Sequence, residues 1–240
     1  MPQVDEIHDL AQVLAGTARD LAAAPGPQAT LEQACEQAVA VIAGCSWAGV
    51  CEKDRDGHSE LLAVSDDTVR VLHEMQYEIG DGPCRKAAPE QRIVWSDDLA
   101  DEKRWPQFAT AAVDRGVRSL ASIQLYTRKN TVVTLHLYAA TPGAFDEVTR
   151  DVAQIFGAHA ASAIAGARDY AHVSRALVTR QQIGQLTGIL AERHKLTTDE
   201  AFALLVQTSH EHNIKLRDLA ARLVAEEDKA RLESRERPSG

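Results

Sequence analysis

Long apolar runs are missing from this chain of 240 residues. No eighteen consecutive residues are apolar enough to cross a bilayer, and the N-terminal MPQVDEIHDL carries acids where a secretion signal needs a basic stretch ahead of an apolar one. A cytoplasmic protein without a membrane partner is the expectation. Cysteine is sparse as well. The four at positions 35, 45, 51 and 84 form no CxxC pair and have no flanking histidine at metal-ligand spacing, which argues against a disulfide frame or zinc site and predicts reduced thiols. Catalytic signatures are also lacking: there is no phosphate-cradling glycine loop with its lysine, no HExxH and no GxSxG. A non-enzyme with no cofactor and no metal is expected.

What is present suits a folded protein of one or two domains, with a hydrophobic fraction of 45% and two long helical patterns. The net charge of −9 is unevenly spread. Residues 1–169 carry 15 Lys and Arg against 25 Asp and Glu, whereas residues 170–223 carry 7 against 5. A local cationic surface is what a nucleic acid requires, and the small positive excess of the second segment permits such a partner.

Apolar residues at Ile7, Leu10, Val13, Leu14, Ala18 and Leu21 share one helical face, so residues 1–29 read as a leading amphipathic helix and a Pro25-Gly26-Pro27 break. Thr30 is the expected N-cap of a second helix to about Ala43. The runs Ala48–Cys51 and Leu61–Val64 flank a DRDG turn and predict a hairpin. A short helical pattern spans Val69–Met75, and IGDGPCRKA at Ile79–Ala87 precedes a candidate helix. After a strand signal at Arg92–Trp95, SDDLADEKRWPQF reads as a loop in which Asp97 and Asp98 are loop or cap residues. Ser119–Tyr126 and Val132–Ala139 form a second hairpin around the polar turn Arg128–Asn130, with β-branched residues prominent in the latter strand. This order predicts an α+β domain built on an antiparallel sheet. Cys84 could contact a ligand or take part in redox chemistry, but reads first as a small residue packing the sheet edge.

The blocks GDGPCRKA, DDLADEKRWPQFATAAVDRGVRSLASIQL and LHLYAATPGAFDEVTRDVAQIFGAHAASAIA resemble the GAF domains of bacterial regulators over residues 30–168. The resemblance implies an antiparallel sheet with flanking helices, a sensory and dimerisation role, and room for a small ligand whose identity it does not give. From Phe145 to about His194 no proline occurs, and Ala153, Phe156, Ala160, Ala163, Ala167, Tyr170, Ser174 and Leu177 recur at alternating three and four. A continuous helix of that length would reach roughly 70 Å. Its small-residue stripe predicts a homodimeric coiled coil, the alternative being two helices broken near Gly166.

The run RALVTRQQIGQLTGILAERHKLTTDEAFALLVQTSHEHNIKLRDLAARL, Arg175–Leu223, reads as three helices. Thr197 and Glu200 fit a capping box opening the second, whose apolar face is Ala201, Leu204, Leu205 and Thr208. Asn213 is the expected N-cap of the third, which presents Leu216, Leu219, Ala220, Leu223 and Val224 to a small core. The charged segment 226–240 is expected to be disordered. IGQLTGILAER, DEAFALL and NIKLRDLA resemble the ANTAR domain over residues 169–225. That resemblance implies an RNA-binding antiterminator that holds paired RNA hairpins against an overlapping terminator. Three positions depart from the common pattern: Leu186 where alanine is usual, Ala191 where methionine is usual, and Thr187 where a basic residue is often found.

RNA hairpins offer phosphates and unpaired loop bases to cationic, polar and aromatic side chains. Arg180, Gln185, Thr187, Arg193, Lys215 and Arg217 are the candidate RNA-binding residues. Phe202 could stack on a base, but its amphipathic helix places it more naturally in the core. His172, His194, His210 and His212 read as exposed polar residues rather than metal ligands. A three-helix unit with a basic third helix also resembles DNA-binding arrangements, and a ligand or redox sensor acting through protein contacts is the remaining alternative.

Overall fold

The computed structural model describes residues 4–86, 92–128 and 130–236. Ala87 of the IGDGPCRKA stretch and Lys129 of the second hairpin turn lie outside the described residues. The chain divides into two units, Met1–Asp169 and Tyr170–Gly240.

The first unit begins with α1 (Val4–Ala23) and α2 (Pro27–Val41). α1 ends ahead of Pro25-Gly26-Pro27, as the sequence predicts, and Pro27 itself opens α2, because at the first position its missing N–H leaves no bond unmade. Thr30 therefore lies inside α2 and not at its cap. It is buried, and its hydroxyl donates to the Gly26 carbonyl at 2.9 Å. The hairpin β1 (Trp47–Lys53) and β2 (Ser59–Val64) follows, then α3 (Asp67–Ile79), the short α4 (Pro83–Lys86) and β3 (Ile93–Ser96). Asp98 caps a 3-10 turn at Leu99–Asp101, accepting from the Ala100 N–H at 3.0 Å. The expected loop ends early, since its last residues open α5 (Pro106–Val113). β4 (Ser119–Arg128) and β5 (Thr131–Ala139) complete an antiparallel sheet of order β2-β1-β5-β4-β3.

Alternation along the strands sorts the two faces. Val50, Ala121, Ile123, Val133, Leu135 and Leu137 join Leu31, Phe156 and Ile164 from the helices in one apolar core. On the other face Leu120 and Tyr138 pack with Leu72 of α3 and Phe108 of α5. Between these apolar residues the same face carries polar ones, among them Ser122 and His136, both buried.

Helix α6 (Glu147–His194) runs 48 residues without a break at Gly166. Its stripe divides into two parts. Ala153, Phe156 and Ala160 are consumed by the sheet unit's own core, with Ile164 and not Ala163 continuing the buried row. Tyr170 and Leu177, farther along, are exposed and Ser174 between them is half-buried, while the neighbouring Val173, outside the stripe, is exposed as well.

In the second unit α7 (Thr198–Glu211) and α8 (Leu216–Glu236) follow the end of α6. The capping box forms as the sequence predicts: Thr197 Oγ1 accepts from the Glu200 N–H at 3.2 Å, and Glu200 Oε2 accepts from the Thr197 N–H at 2.8 Å. The buried face of α7 is Ala201, Leu205 and Ser209, while Leu204 is exposed. Asn213 does not cap α8. It stands at φ 52 and closes α7, with the Ile214 N–H reaching the Ser209 carbonyl at 3.0 Å and the Asn213 N–H reaching that of His210 at 3.2 Å. Residues 226–236, expected to be disordered, continue α8 as helix. Ion pairs anchor the start of that extension, from Arg222 to Glu226 at 2.9 Å and from Arg193 to Glu227 at 2.7 Å. Among the described residues no helix is long and apolar enough to cross a membrane.

Candidate nucleic-acid interface and a buried thiol and imidazole cluster

Four of the six residues singled out for RNA are exposed and have no competing fixed role in the fold: Arg180, Gln185, Lys215 and Arg217. Lys215 precedes the first residue of α8, its carbonyl accepting from the N–H groups of Asp218 and Leu219 at 2.8 and 3.0 Å. Arg217 lies in the first turn, 3.2 Å from the Asp218 carboxylate, in a pair exposed on both sides and so worth little. Cations at a helix N-terminus oppose the helix dipole, so these two residues do not serve the helix. Their position is held from behind, where the Ser209 hydroxyl donates to the Ile214 carbonyl at 2.5 Å.

The other two candidates are committed elsewhere. Thr187 is 4% exposed and donates its hydroxyl to the Ile183 carbonyl at 2.7 Å, which removes it from the surface. Arg193 makes a two-pronged pair with Glu227, at 2.7 and 2.8 Å. Leu186 fills the small core with Leu205, Ala220 and Val224. Phe202, expected in the core, is 44% exposed and offers an aromatic face to solvent.

The sheet unit holds a second group of chemically capable side chains, which sequence spacing does not bring together. Ser122 on β4 and His136 on β5 are direct cross-strand partners, and Ser122 Oγ lies 2.8 Å from His136 Nδ1. Gly49 on β1 is opposite His136 on its other side, which places Cys51 on the diagonal with Sγ 3.1 Å from His136 Nε2. Cys84 closes the group, its Sγ 3.2 Å from the same nitrogen. All three ligand atoms lie within 4.8 Å of one another, and all three residues are buried.

The glycines and proline around Cys84 explain how it arrives there. Gly80 ends α3 at φ 71, and Gly82 adopts φ 124 so close to Gln76 that an added Cβ would stand 2.5 Å from Gln76 Cγ. Pro83 then opens α4, and Gln76 Oε1 accepts from the Cys84 N–H at 2.8 Å. Asp81 accepts from the N–H groups of Gln107 and Phe108 at 3.1 and 3.3 Å, fixing the same loop to the start of α5. Cys84 therefore reaches the central strand β5, at His136, and not the sheet edge.

The environments of the four thiols differ. Burial pushes Cys35 and Cys45 up to about 12. Cys51 is held well below the usual thiol range by the hydrogen bond from Cys84 and by His136, against the opposing effect of burial. The same hydrogen bond, with burial, pushes Cys84 up. Cys51, Cys84 and His136 line a cavity of about 430 Å³, together with residues 54–57 of the β1–β2 turn. His136 was the residue most open to detection in the sequence, as the one imidazole inside the apolar run Val132–Ala139. Cys51 and Cys84, 33 positions apart, carried no local spacing to join them to it.

Comparison with known proteins decides the family. The GAF domain model matches residues 24–165. The chain belongs to the GAF domain family. The ANTAR domain model matches residues 171–224, so the GAF domain is followed by a segment of the ANTAR type, a type of domain known for RNA binding in antitermination. Both are regulatory, non-catalytic domain types. No curated protein sequence matches the chain. Among solved structures, the photosensory core module of a Stigmatella aurantiaca phytochrome is similar with a TM-score of 0.59 at 11% identity, covering 87% of this chain and 46% of that one. The chromophore-binding domain of the bacteriophytochrome RpBphP3 from R. palustris gives 0.51 at 10%, over 68% and 63%. The N-acylhomoserine lactone dependent LuxR family factor CepR2 from Burkholderia cenocepacia gives 0.53 at 18%, over 66% and 94%. The chain spans about half the length of the first of these and under two thirds of the second, and at such identities the likeness is one of fold.

Proposed function

We propose that this GAF protein is a homodimeric transcription antiterminator that binds paired RNA hairpins and holds them against terminator formation. The observation carrying the proposal is the pair Lys215 and Arg217, exposed at the start of α8 inside the ANTAR segment, where they oppose the helix dipole and favour a polyanion. Arg180 and Gln185 add exposed cationic and polar groups on α6, and Phe202 supplies a stacking face for an unpaired base. Arg193 contributes only by exchanging Glu227 for phosphate. Dimerisation uses the exposed row Tyr170, Val173 and Leu177 on α6, at the three-and-four spacing of a helical seam. Because α6 belongs to both units, a change in the GAF domain has a covalent route to the RNA-binding helices.

Binding of labelled tandem-hairpin RNA to the full chain tests the reading. Lys215→Ala with Arg217→Ala should leave the fold intact and weaken binding across sequences. The slope of log affinity against log salt should fall by about 1 for each phosphate that is no longer neutralised. Unchanged affinity and slope would remove this surface from the proposal. Equal affinity for random duplex DNA at matched salt would favour a DNA-binding regulator, and absence of nucleic-acid affinity would favour a sensor acting through protein contacts.

A further inference from the structure

We infer that Cys51, Cys84 and His136 form a binding site for one thiophilic first-row metal ion, of which Zn²⁺ is the reference and Fe²⁺ and Co²⁺ are compatible, with a fourth coordination position open to the GAF cavity. The inference stands on the geometry of the sheet unit and does not depend on the RNA reading.

Convergence is the first argument. Two sulfurs on different elements approach the same imidazole nitrogen, at 3.1 and 3.2 Å, instead of packing apart. With metal–sulfur bonds of about 2.3 Å and a metal–nitrogen bond of about 2.0 Å, a tetrahedral ion needs sulfur–nitrogen edges of roughly 3.5 Å. Each sulfur must then retreat by only about 0.4 Å, within reach of a small side-chain rotation.

The environment of the histidine is the second. Ser122 Oγ lies 2.8 Å from Nδ1 and can accept a hydrogen bond from it, leaving the Nε2 lone pair directed at the sulfurs. Metal-bound imidazoles are commonly held in this way by a partner on the other nitrogen, which fixes tautomer and ring orientation. Ser59, another buried hydroxyl, hydrogen-bonds Cys51 and lies 3.2 Å from His73 Nε2. The polar groups around the cluster thus support ligands instead of filling the cavity.

Charge is the third. Any thiol proton still carried by Cys51 or Cys84 leaves to solvent on binding, and a dication then stands against two thiolates, so the buried core is formally neutral. A dithiolate and imidazole donor set suits zinc and the softer transition ions, and excludes magnesium and calcium, which prefer oxygen. Three protein ligands leave one position to fill, and the cavity of about 430 Å³ that these residues line gives it access.

Titration of the reduced, metal-free full chain with Co²⁺ tests this. The expected result is a thiolate-to-cobalt charge-transfer band and the visible bands of tetrahedral cobalt, saturating at one ion per chain and abolished by Zn²⁺. Cys51→Ser, Cys84→Ser and His136→Gln should each weaken binding, the two cysteine variants also losing charge-transfer intensity. Cys35→Ser and Cys45→Ser should keep the full spectrum. Ser122→Ala, which removes no ligand, should keep the bands and weaken binding roughly 10–100-fold.

Because a buried variant can fail to fold, circular dichroism accompanies each, and the wild-type chain provides an independent reading: Zn²⁺ should protect Cys51 and Cys84 from alkylation under mild denaturation. A folded, reduced wild-type chain with no charge-transfer band would overturn the site. So would a spectrum that survives in all three ligand variants. Formation of a Cys51–Cys84 disulfide on oxidation, in a chain that takes no metal when reduced, would replace it with a thiol switch.

Discussion

The two units handle polar chemistry in opposite ways. The GAF domain buries Cys51, Cys84, His136 and Ser122 in its interior and holds them through strand register and a glycine-bound loop. The ANTAR domain keeps a core of a few aliphatic residues and leaves its cations and Phe202 in solvent. A group that receives a small ligand must be screened from water and fixed in angle. A surface that meets RNA must instead expose mobile charge to a partner larger than itself. Each half of this contrast can be attacked by substitution, and the largest effect is expected where the margin is thinnest.

That point is Leu186. It is 2% exposed in a cluster whose other buried members are Leu205, Ala220 and Val224. Leu186→Ala should cost about 2–5 kcal/mol, a large share of the stability available to so small a unit. Hydrogen exchange should show the ANTAR helices losing protection and RNA affinity falling, with the GAF sheet unchanged. Equal loss of protection in β4 and β5 would show that the units unfold together.

The same step should work in reverse on the GAF side. Gly82→Ala places a Cβ against Gln76 at a backbone angle that L residues rarely adopt, and should cost about 1–3 kcal/mol. Its effect should be read at Cys84, as faster alkylation, with RNA affinity of the folded fraction retained. Unaltered Cys84 reactivity would mean that the loop does not set the thiol's position.

These two sites show what was legible in the sequence. The α+β architecture, both hairpins and the Thr197 capping box followed from periodicity and turn chemistry, which are local. Leu186 could be seen as a departure from the family pattern, but its core role depends on which side of α6 faces α7 and α8. The burial of Thr187 depends on the same side of α6. Phe202 and Leu204 sit on an amphipathic helix that buries only Ala201, Leu205 and Ser209, so their exposure records how little partner surface a three-helix unit supplies. The thiol cluster was least legible. Register alone places Cys51 diagonal to His136, and register is a relation between strands far apart in the chain.

Phe202 gives a smaller test. As an exposed residue it should cost less than about 0.5 kcal/mol of stability when truncated. If it stacks on a loop base, Phe202→Ala should weaken hairpin binding by about 1–3 kcal/mol, without the change in salt slope expected when a cation is removed. Loss of stability with full RNA affinity would return it to a packing role.

The smallest expected effect is on acid stability. Hydrogen bonds from Arg104, including Nη2 to Oε2 at 2.6 Å, hold the Glu102 carboxyl down to about 2, from an ordinary value of 4.5, against the opposing effect of partial burial. A carboxyl with a depressed folded-state pKa binds fewer protons folded than unfolded, so its contribution is complete above about pH 4.5 and is lost as pH falls towards about 2. Glu200 in the capping box is also lowered, by the Thr197 backbone and hydroxyl, but it is fully exposed. Arg104→Gln should therefore raise the Glu102 pKa, flatten the acid limb of GAF unfolding, and leave that of the ANTAR helices unchanged. Carboxyl titration by NMR, with unfolding followed separately in each unit, would check this, and an equal change in both acid limbs would contradict a local ion pair.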